Sequence, residues 1–447
     1  MKNSFSVSLI WMPLIILLAR CDGADSNPVQ LTSSPMLGHV GMRDAHIWAQ
    51  TMEPVSGMYM KMWMDSSSTH QVIQGEPTGH FNCVKWNVHS LEPGSSYRGV
   101  LMQGAMACSD TINWQTQALW QYRSDPPAFT IATGSCTYIN EQSYDRPGKP
   151  YGGDYHIFEA IVRDEPNAMV WLGDNVYLRE VDLGSFEGYG HRYSHMRQVP
   201  ELQNLLSLCP QYAIWDDHDF GPNDCDGSWV HQDWSRDAFQ SFWANPGFGI
   251  PEAPELNAST FLFGDVEFFM LDNRTHRVNH TMGPDRRQYL GEKQLNWLIQ
   301  SLRNSRAPFK MIAVGGQMLS DAAIYENYAQ YPEERERLLL ALDELGIRGV
   351  VFLSGDRHNT ELTSMQLPGG NWIYDLTVSP LTSGSYDHTD EPNNHRVDGT
   401  MLGERNYALL NFSGPRKERV LEMVVKNSEG EEQWRRSISA GSRYSLN

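Results

Sequence analysis

Five apolar runs of strand length each stop at a cluster of polar groups, and no other feature of the chain restricts its fold as much. Phe129-Thr-Ile-Ala-Thr133 runs into Gly134-Ser135-Cys136, and Val170-Trp-Leu-Gly-Asp174 into Asn175 and Tyr177. Ile214-Trp215 runs into Asp216-Asp217-His218-Asp219, Phe268-Phe-Met-Leu271 into Asp272 and Arg274, and Val350-Val-Phe-Leu-Ser354 into Gly355-Asp356-Arg357-His358. Strands are predicted over 168–174, 211–219, 267–274, 309–316, 348–358 and 372–380. Helices are predicted over 153–163, 285–305 and 333–346; in the second, Tyr289, Leu290, Leu295, Leu298 and Leu302 mark an apolar face. Apolar strands alternating with amphipathic helices imply an α/β sandwich around a largely buried mixed sheet. In such sheets ligands bind beyond the carboxyl ends of the strands, where these clusters would meet.

Carboxylates gathered in a half-buried crevice repel one another and lose their hydration, so they stay protonated or bind a cation. Asp, Asn and His are natural ligands of hard metal ions. Gly173-Asp174 alone would be a turn and His358 alone a core histidine, but three acids and a His within Asp216–Asp219 have few structural uses. The constellation therefore predicts a metal centre. Arg357 and Arg274 are either donors to an anionic group or members of surface ion pairs.

The rest of the chain frames this region. Lys2 precedes an apolar run from Val7 to Ala19, too short to span a bilayer but suited to a signal-peptide core, so residues 1–21 are predicted to be an export signal. Leu18-Ala-Arg-Cys21 resembles the lipobox of bacterial lipoproteins, with Arg20 departing from the small residue expected there, and makes Cys21 a lipidation candidate. The working protein is expected outside the cytoplasm: periplasmic, tethered by a lipid anchor, or secreted. Residues 36–124 alternate at period two, as in Met58–Met64, between turn residues, which predicts a β-sandwich. The Leu91-Glu-Pro-Gly-Ser-Ser-Tyr97 pattern looks like the end of a fibronectin-III-like module, and Ser124-Asp-Pro-Pro127 like a linker to the domain at 128–440. Cys83 and Cys108 are read as a disulfide or two buried thiols, and Cys209 and Cys225 as a brace for the 211–219 strand or two free thiols. With 54 Asp+Glu against 35 Lys+Arg the formal charge is −19, which argues against nucleic acid as a partner.

The ordered series GSC (134–136), GDNVY (173–177), WDDHDFGPND (215–224), LDNR (271–274), EKQLNWLIQSL (292–302) and SGDRH (354–358) resembles the PhoD-like alkaline phosphatases/phosphodiesterases, a branch of the calcineurin-like metallophosphoesterases. The resemblance implies a four-layer α/β/β/α sandwich behind the small β-sandwich. It also implies hydrolysis of phosphate mono- or diesters by a metal-bound hydroxide at a centre of Fe(III) and Ca2+, other divalent metals being the alternative. By resemblance, Cys136 is the thiolate ligand, Asp174 the bridging carboxylate and Tyr177 the phenolate ligand. Asp217, or Asp216 in its place, binds metal, and His218 faces the substrate. Asp356 and His358 form the late ligand pair, and Asn223 stands where an asparagine ligand is expected. Where cousins present a His after a later strand, this chain has Gly315-Gly316-Gln317.

In that mechanism His218 donates a proton to the leaving alcohol or stabilises charge, and Arg357 and Arg274 hold nonbridging oxygens. The expected partners are small phosphate esters or phospholipid-type diesters, and the expected state is a monomer. The competing readings are a phospholipase D-like phosphodiesterase and an inactive secreted binding protein.

Overall fold

Period-two patterning produces two antiparallel sheets at the start of the chain. The computed structural model describes residues 29–440; the predicted signal segment 1–21 and Cys21 lie outside them. Met36–Val40, Ala45–Gln50, Cys83–Val88 and Glu76–Pro77 form a four-stranded sheet, and Met58–Met64, His70–Gln74, Ser96–Gln103, Met106–Ala107 and Ile112–Gln115 a five-stranded one. Met58, Met60 and Met62 alternate inward while Lys61 faces water, and they pack with Ile47, Trp86, Leu101 and Trp114 between the sheets. The Tyr97 hydroxyl accepts from the Glu92 amide at 2.8 Å, pinning the Leu91–Tyr97 turn.

From Phe129 on, two six-stranded mixed sheets form. In the first, Gln211–Ile214, Ala168–Leu172 and Phe129–Gly134 run parallel, followed by antiparallel Asn406–Ser413, Val420–Asn427 and Glu432–Ser439. In the second, Val266–Met270, Lys310–Ala313, Val350–Ser354 and Trp372–Thr377 run parallel, with antiparallel Ser259–Phe263 and Glu361–Gln366 at the edges. One apolar core joins the facing sides, from Ile131, Val170 and Leu410 of the first sheet to Phe268, Met311 and Leu353 of the second. Helices His156–Arg163, Phe186–Arg197, Gln203–Leu208 and Gln232–Phe242 pack on the other face of the first sheet, and Glu292–Asn304 and Pro332–Glu344 on that of the second. Burial on both faces explains why these parallel strands read as continuous apolar runs. Trp48 and Cys83 reach from the N-terminal sheet into the helical layer, where the Trp48 indole donates to the Ser241 carbonyl at 2.8 Å.

Several boundaries differ from the sequence expectation for local reasons. The strand predicted over 211–219 ends at Ile214, because Asp216 caps a single helical turn, Asp217–Phe220, in a reciprocal capping box with Asp219. The helix predicted from 285 begins at Glu292: Gly291 stands at φ 81°, so Tyr289 and Leu290 are buried but lie ahead of the helix. Helix Phe186–Arg197 escaped the pattern reading because it buries Arg192 and Arg197 beside Tyr189, Tyr193 and Met196, which erases its apolar stripe.

Neither proposed disulfide forms: Cys83, Cys108, Cys136, Cys209 and Cys225 are free thiols. Cys83 points to the opposite face of its strand from Val84, Trp86 and Val88, away from the sandwich core that Cys108 borders. Cys209 and Cys225 lie beyond opposite ends of Gln211–Ile214, about 13 Å of strand apart, whereas bridged Cα atoms sit within about 7 Å.

Candidate metal centre

The carboxyl ends of the parallel strands carry an unusual backbone. Cys136, Asp174, Asp356 and His358 have φ of 60°, 49°, 65° and 56°, the left-handed region that non-glycine residues avoid. Each such residue costs about 1–3 kcal/mol and persists where its surroundings fix it, typically at a functional site. Gly173 allows the close approach behind Asp174, since a Cβ there would meet Asp216 Cβ at 2.7 Å.

These turns bring side chains from distant segments together. Cys136 Sγ lies 3.5 Å from Asp174 Oδ2 and accepts a hydrogen bond from the Ser379 hydroxyl at 3.0 Å. The Tyr177 hydroxyl is 3.1 Å from Asp174 Oδ2 and 3.0 Å from His358 Nε2. One ligand atom each from Cys136, Asp174 and His358 lie within 4.8 Å of one another, as do those from Asp174, Asp217 and His218, so Asp174 belongs to both groups. A third group joins Asp216, Asp217 and Glu326.

The electrostatics demand a counter-charge. Asp174 is 1 % exposed. Burial, then the charges of Asp217, Cys136 and Asp216, holds its carboxyl well above the usual carboxylate range. Burial and the charges of Glu326, Asp216 and Asp217 do the same to Asp356. Burial pushes the Cys136 thiol up to about 12 and the His358 imidazole down to about 4, so His358 is neutral at pH 7 and able to ligate. Asp217 Oδ1 and Asp216 Oδ2 are buried with no hydrogen-bond donor. Thiol, phenol, imidazole and carboxylates around an unbalanced negative charge fit metal ions.

The third group differs, because guanidinium groups already occupy it. Arg274 Nε donates to Asp216 at 2.6 Å, its Nη1 to Glu326 at 2.9 Å, and Arg277 Nη1 lies 3.0 Å from Glu326. Asp216 is thus held by Arg274 and by the Asn273 amide at 2.9 Å. Glu326 was not foreseen; it comes from an irregular loop with no periodicity or motif around it.

Of the residues expected at the site, Cys136, Asp174, Tyr177, Asp217, His218 and His358 converge, and Asp356 stands two residues before His358 at the same strand end. Asn223 is exposed and lines, with Tyr138, Tyr151, Tyr177, His218 and Tyr386, a cavity of about 660 Å³ that reaches the centre. The His218 side chain is 22 % exposed there, its ring 4.2 Å from that of Tyr177. The two arginines depart from expectation. Arg274 is 0 % exposed and spends its donors on Asp216, Glu326 and the Cys225 carbonyl. Arg357 donates to Glu391 at 2.6 and 2.9 Å and to Gln317 and Asn327, beneath the ring of Tyr325. Neither guanidinium is free to hold a substrate oxygen, because burial required each to be paired within the protein.

A family model described as PhoD-like phosphatase matches residues 131–417. Alkaline phosphatase D of Bacillus subtilis (strain 168) is 23% identical over 317 residues, 60% of this chain and 53% of that protein, so the chain spans about half the length of this curated relative. A solved structure described as "Structure of PhoD" superposes with a TM-score of 0.76 at 16% identity, covering 95% of this chain and 92% of that one, which shows a shared mixed α/β fold with several sheets.

Proposed function

Because the chain belongs to the PhoD-like phosphatase family, we propose that it hydrolyses phosphoric esters at a cation centre held by Cys136, Asp174, Tyr177, Asp217, Asp356 and His358. The observation that carries this reading is the shared carboxylate: Asp174 has Cys136 and His358 on one side and Asp217 and His218 on the other, all within 4.8 Å in each group. Thiolate and phenolate on the Cys136 side favour Fe(III), and the carboxylates on the Asp217 side suit Ca2+. Bound there, such ions supply neutralisation of phosphoryl charge and a water of lowered pKa.

The chain's own groups provide the rest. His218, half-open to the cavity and beside Asp217, is the group positioned to give a proton to the leaving alcohol. Tyr138, Tyr151 and Tyr386 wall the space beside it and exclude water from one side of an incoming ester. Asn223 at the mouth is within the substrate's path and serves as an additional oxygen ligand.

The substrates we assign are small phosphomonoesters and phosphodiesters. In the same reading the two six-stranded sheets with their outer helices form the four-layer sandwich, spanning 128–440, and residues 36–124 a fibronectin-III-like module. An extracytoplasmic site of action is supported by the Val7–Ala19 run and a lipid tether by Cys21. No described helix is long and apolar enough to cross a membrane. Elemental analysis of purified protein, with turnover of p-nitrophenyl phosphate against bis-p-nitrophenyl phosphate, tests the reading. Stoichiometric iron or calcium with hydrolysis of either ester is expected, and metal-free protein inert toward both after reconstitution would refute it.

A further inference from the structure

His358 has both ring nitrogens engaged. Nε2 faces Tyr177 and the Cys136–Asp174 group, 3.0 Å from the Tyr177 hydroxyl, and Nδ1 lies 3.1 Å from the hydroxyl of Tyr151. Tyr151 belongs to the irregular segment between Phe129–Gly134 and His156–Arg163, on the opposite side of the imidazole from the proposed ligands. We propose that Tyr151 is a positioning residue for the centre: its hydroxyl accepts the Nδ1 hydrogen of His358, fixing the tautomer whose Nε2 lone pair points at Cys136 and Asp174.

Three further contacts hold this arrangement. Tyr386 stacks on the imidazole with the rings 9° from parallel and centroids 5.8 Å apart, and its amide donates to the His358 carbonyl at 2.9 Å. Tyr151 and Tyr386 thus bracket the ring at its edge and its face. Gly384 lets the Tyr151 ring come close, since a Cβ there would meet Tyr151 Cε2 at 3.0 Å. A neutral imidazole carries one hydrogen on either nitrogen, and only the Nδ1 form can ligate through Nε2. An acceptor fixed at Nδ1 therefore selects the ligating form before any ion arrives. Groups that orient ligand histidines in this way typically change metal affinity 10- to 100-fold when removed.

The inference rests on His358 being a ligand, and a double-mutant cycle separates the two claims. The full chain, stripped with chelator, is titrated with Co2+ while the thiolate-to-cobalt absorption is followed, which reports ions seated at Cys136. Tyr151→Phe, which keeps the ring and removes only the hydroxyl, is expected to weaken Co2+ binding about 10- to 100-fold. His358→Gln is expected to weaken it at least as much, and Tyr151→Phe to add nothing in the His358→Gln background. Wild-type affinity in Tyr151→Phe with a loss in His358→Gln overturns the positioning role alone. A Tyr151→Phe loss that persists in the His358→Gln background also overturns it, since the effect would not pass through His358. Undiminished affinity in His358→Gln removes His358 from the centre, and the inference falls with it.

Discussion

Cys136 Sγ stands 3.5 Å from Asp174 Oδ2, although 38 residues separate them and both hold a left-handed backbone. Phe129–Gly134 and Ala168–Leu172 pair in parallel, with Gly134 beside Trp171, so the residues just past each strand emerge side by side. The pairing makes the contact, and the backbone turns aim it.

Removal of the shared carboxylate should disable both halves of the proposed centre at once. Asp174→Asn is expected to lower kcat by at least about a thousandfold and to deplete bound metal. Steady-state kinetics and elemental analysis of the same preparation check it; an Asp174→Asn enzyme with wild-type turnover would be incompatible with the site described.

Metal-free protein should become less stable as pH rises through neutrality. Burial lifts Asp219 to about 7 and, with like charges nearby, holds Asp174 and Asp356 well above 3.8, so the folded state binds more protons than the unfolded one. Stability then falls with rising pH through the folded-state values. His358 and His218, lowered by burial, act in the opposite direction, but only below the 6.5 of a free imidazole. The Tm in chelator should therefore drop between pH 6.5 and 7.5, across the folded-state value of Asp219, and recover on adding Ca2+ or Fe(III). A flat or rising Tm in chelator would contradict the charge balance.

Arg274 is expected to act on stability rather than on substrate. Arg274→Met leaves Asp216 without its guanidinium partner and Glu326 with Arg277 alone, and stranding a buried charge costs roughly 3–5 kcal/mol. Urea unfolding measures the loss. A variant of native stability with a raised KM would instead return Arg274 to the substrate.

Gly315 follows the strand Lys310–Ala313, and the structure gives a steric reason for the glycine: a Cβ would come within 2.2 Å of Asp216 Oδ2. Asp216 cannot yield, being held by Arg274 and Asn273. Gly315→Ala should lose about 1–3 kcal/mol by overpacking. Thermal unfolding at fixed pH checks this, and an unchanged midpoint would mean that the Asp216 carboxylate is free to move.

Thiol titration checks the disulfide correction. Cys83, Cys108, Cys136, Cys209 and Cys225 should all react with a thiol reagent after unfolding without reductant. In native protein the buried Cys83 and Cys209 should stay silent, since burial raises each thiol to about 12. A Cys83–Cys108 or Cys209–Cys225 cross-linked peptide in a non-reducing digest would restore the bridge.

The strand ends were legible because their chemistry is local. A buried parallel strand must be apolar along its length, so the first polar residues after it stand out, and Cys136, Asp174, Asp217 and His358 could be read that way. The helix face at Leu295, Leu298 and Leu302 was legible for the same reason, through its period. Asn406–Ser413, Val420–Asn427 and Glu432–Ser439 went unread, although they complete the first sheet, because no motif marks them.

The linear chain by itself determined which residue types stand at the carboxyl end of each apolar run, since side-chain periodicity is a property of neighbours a few positions apart. Only the tertiary structure decided what each of them meets. It drew Arg274 and Arg357 inward to Asp216, Glu326 and Glu391, and set the Tyr151 hydroxyl against His358. Charge and hydrogen-bond partners are chosen by distance in space, and a buried guanidinium or imidazole takes whichever acceptor the packed sheets bring within about 3 Å.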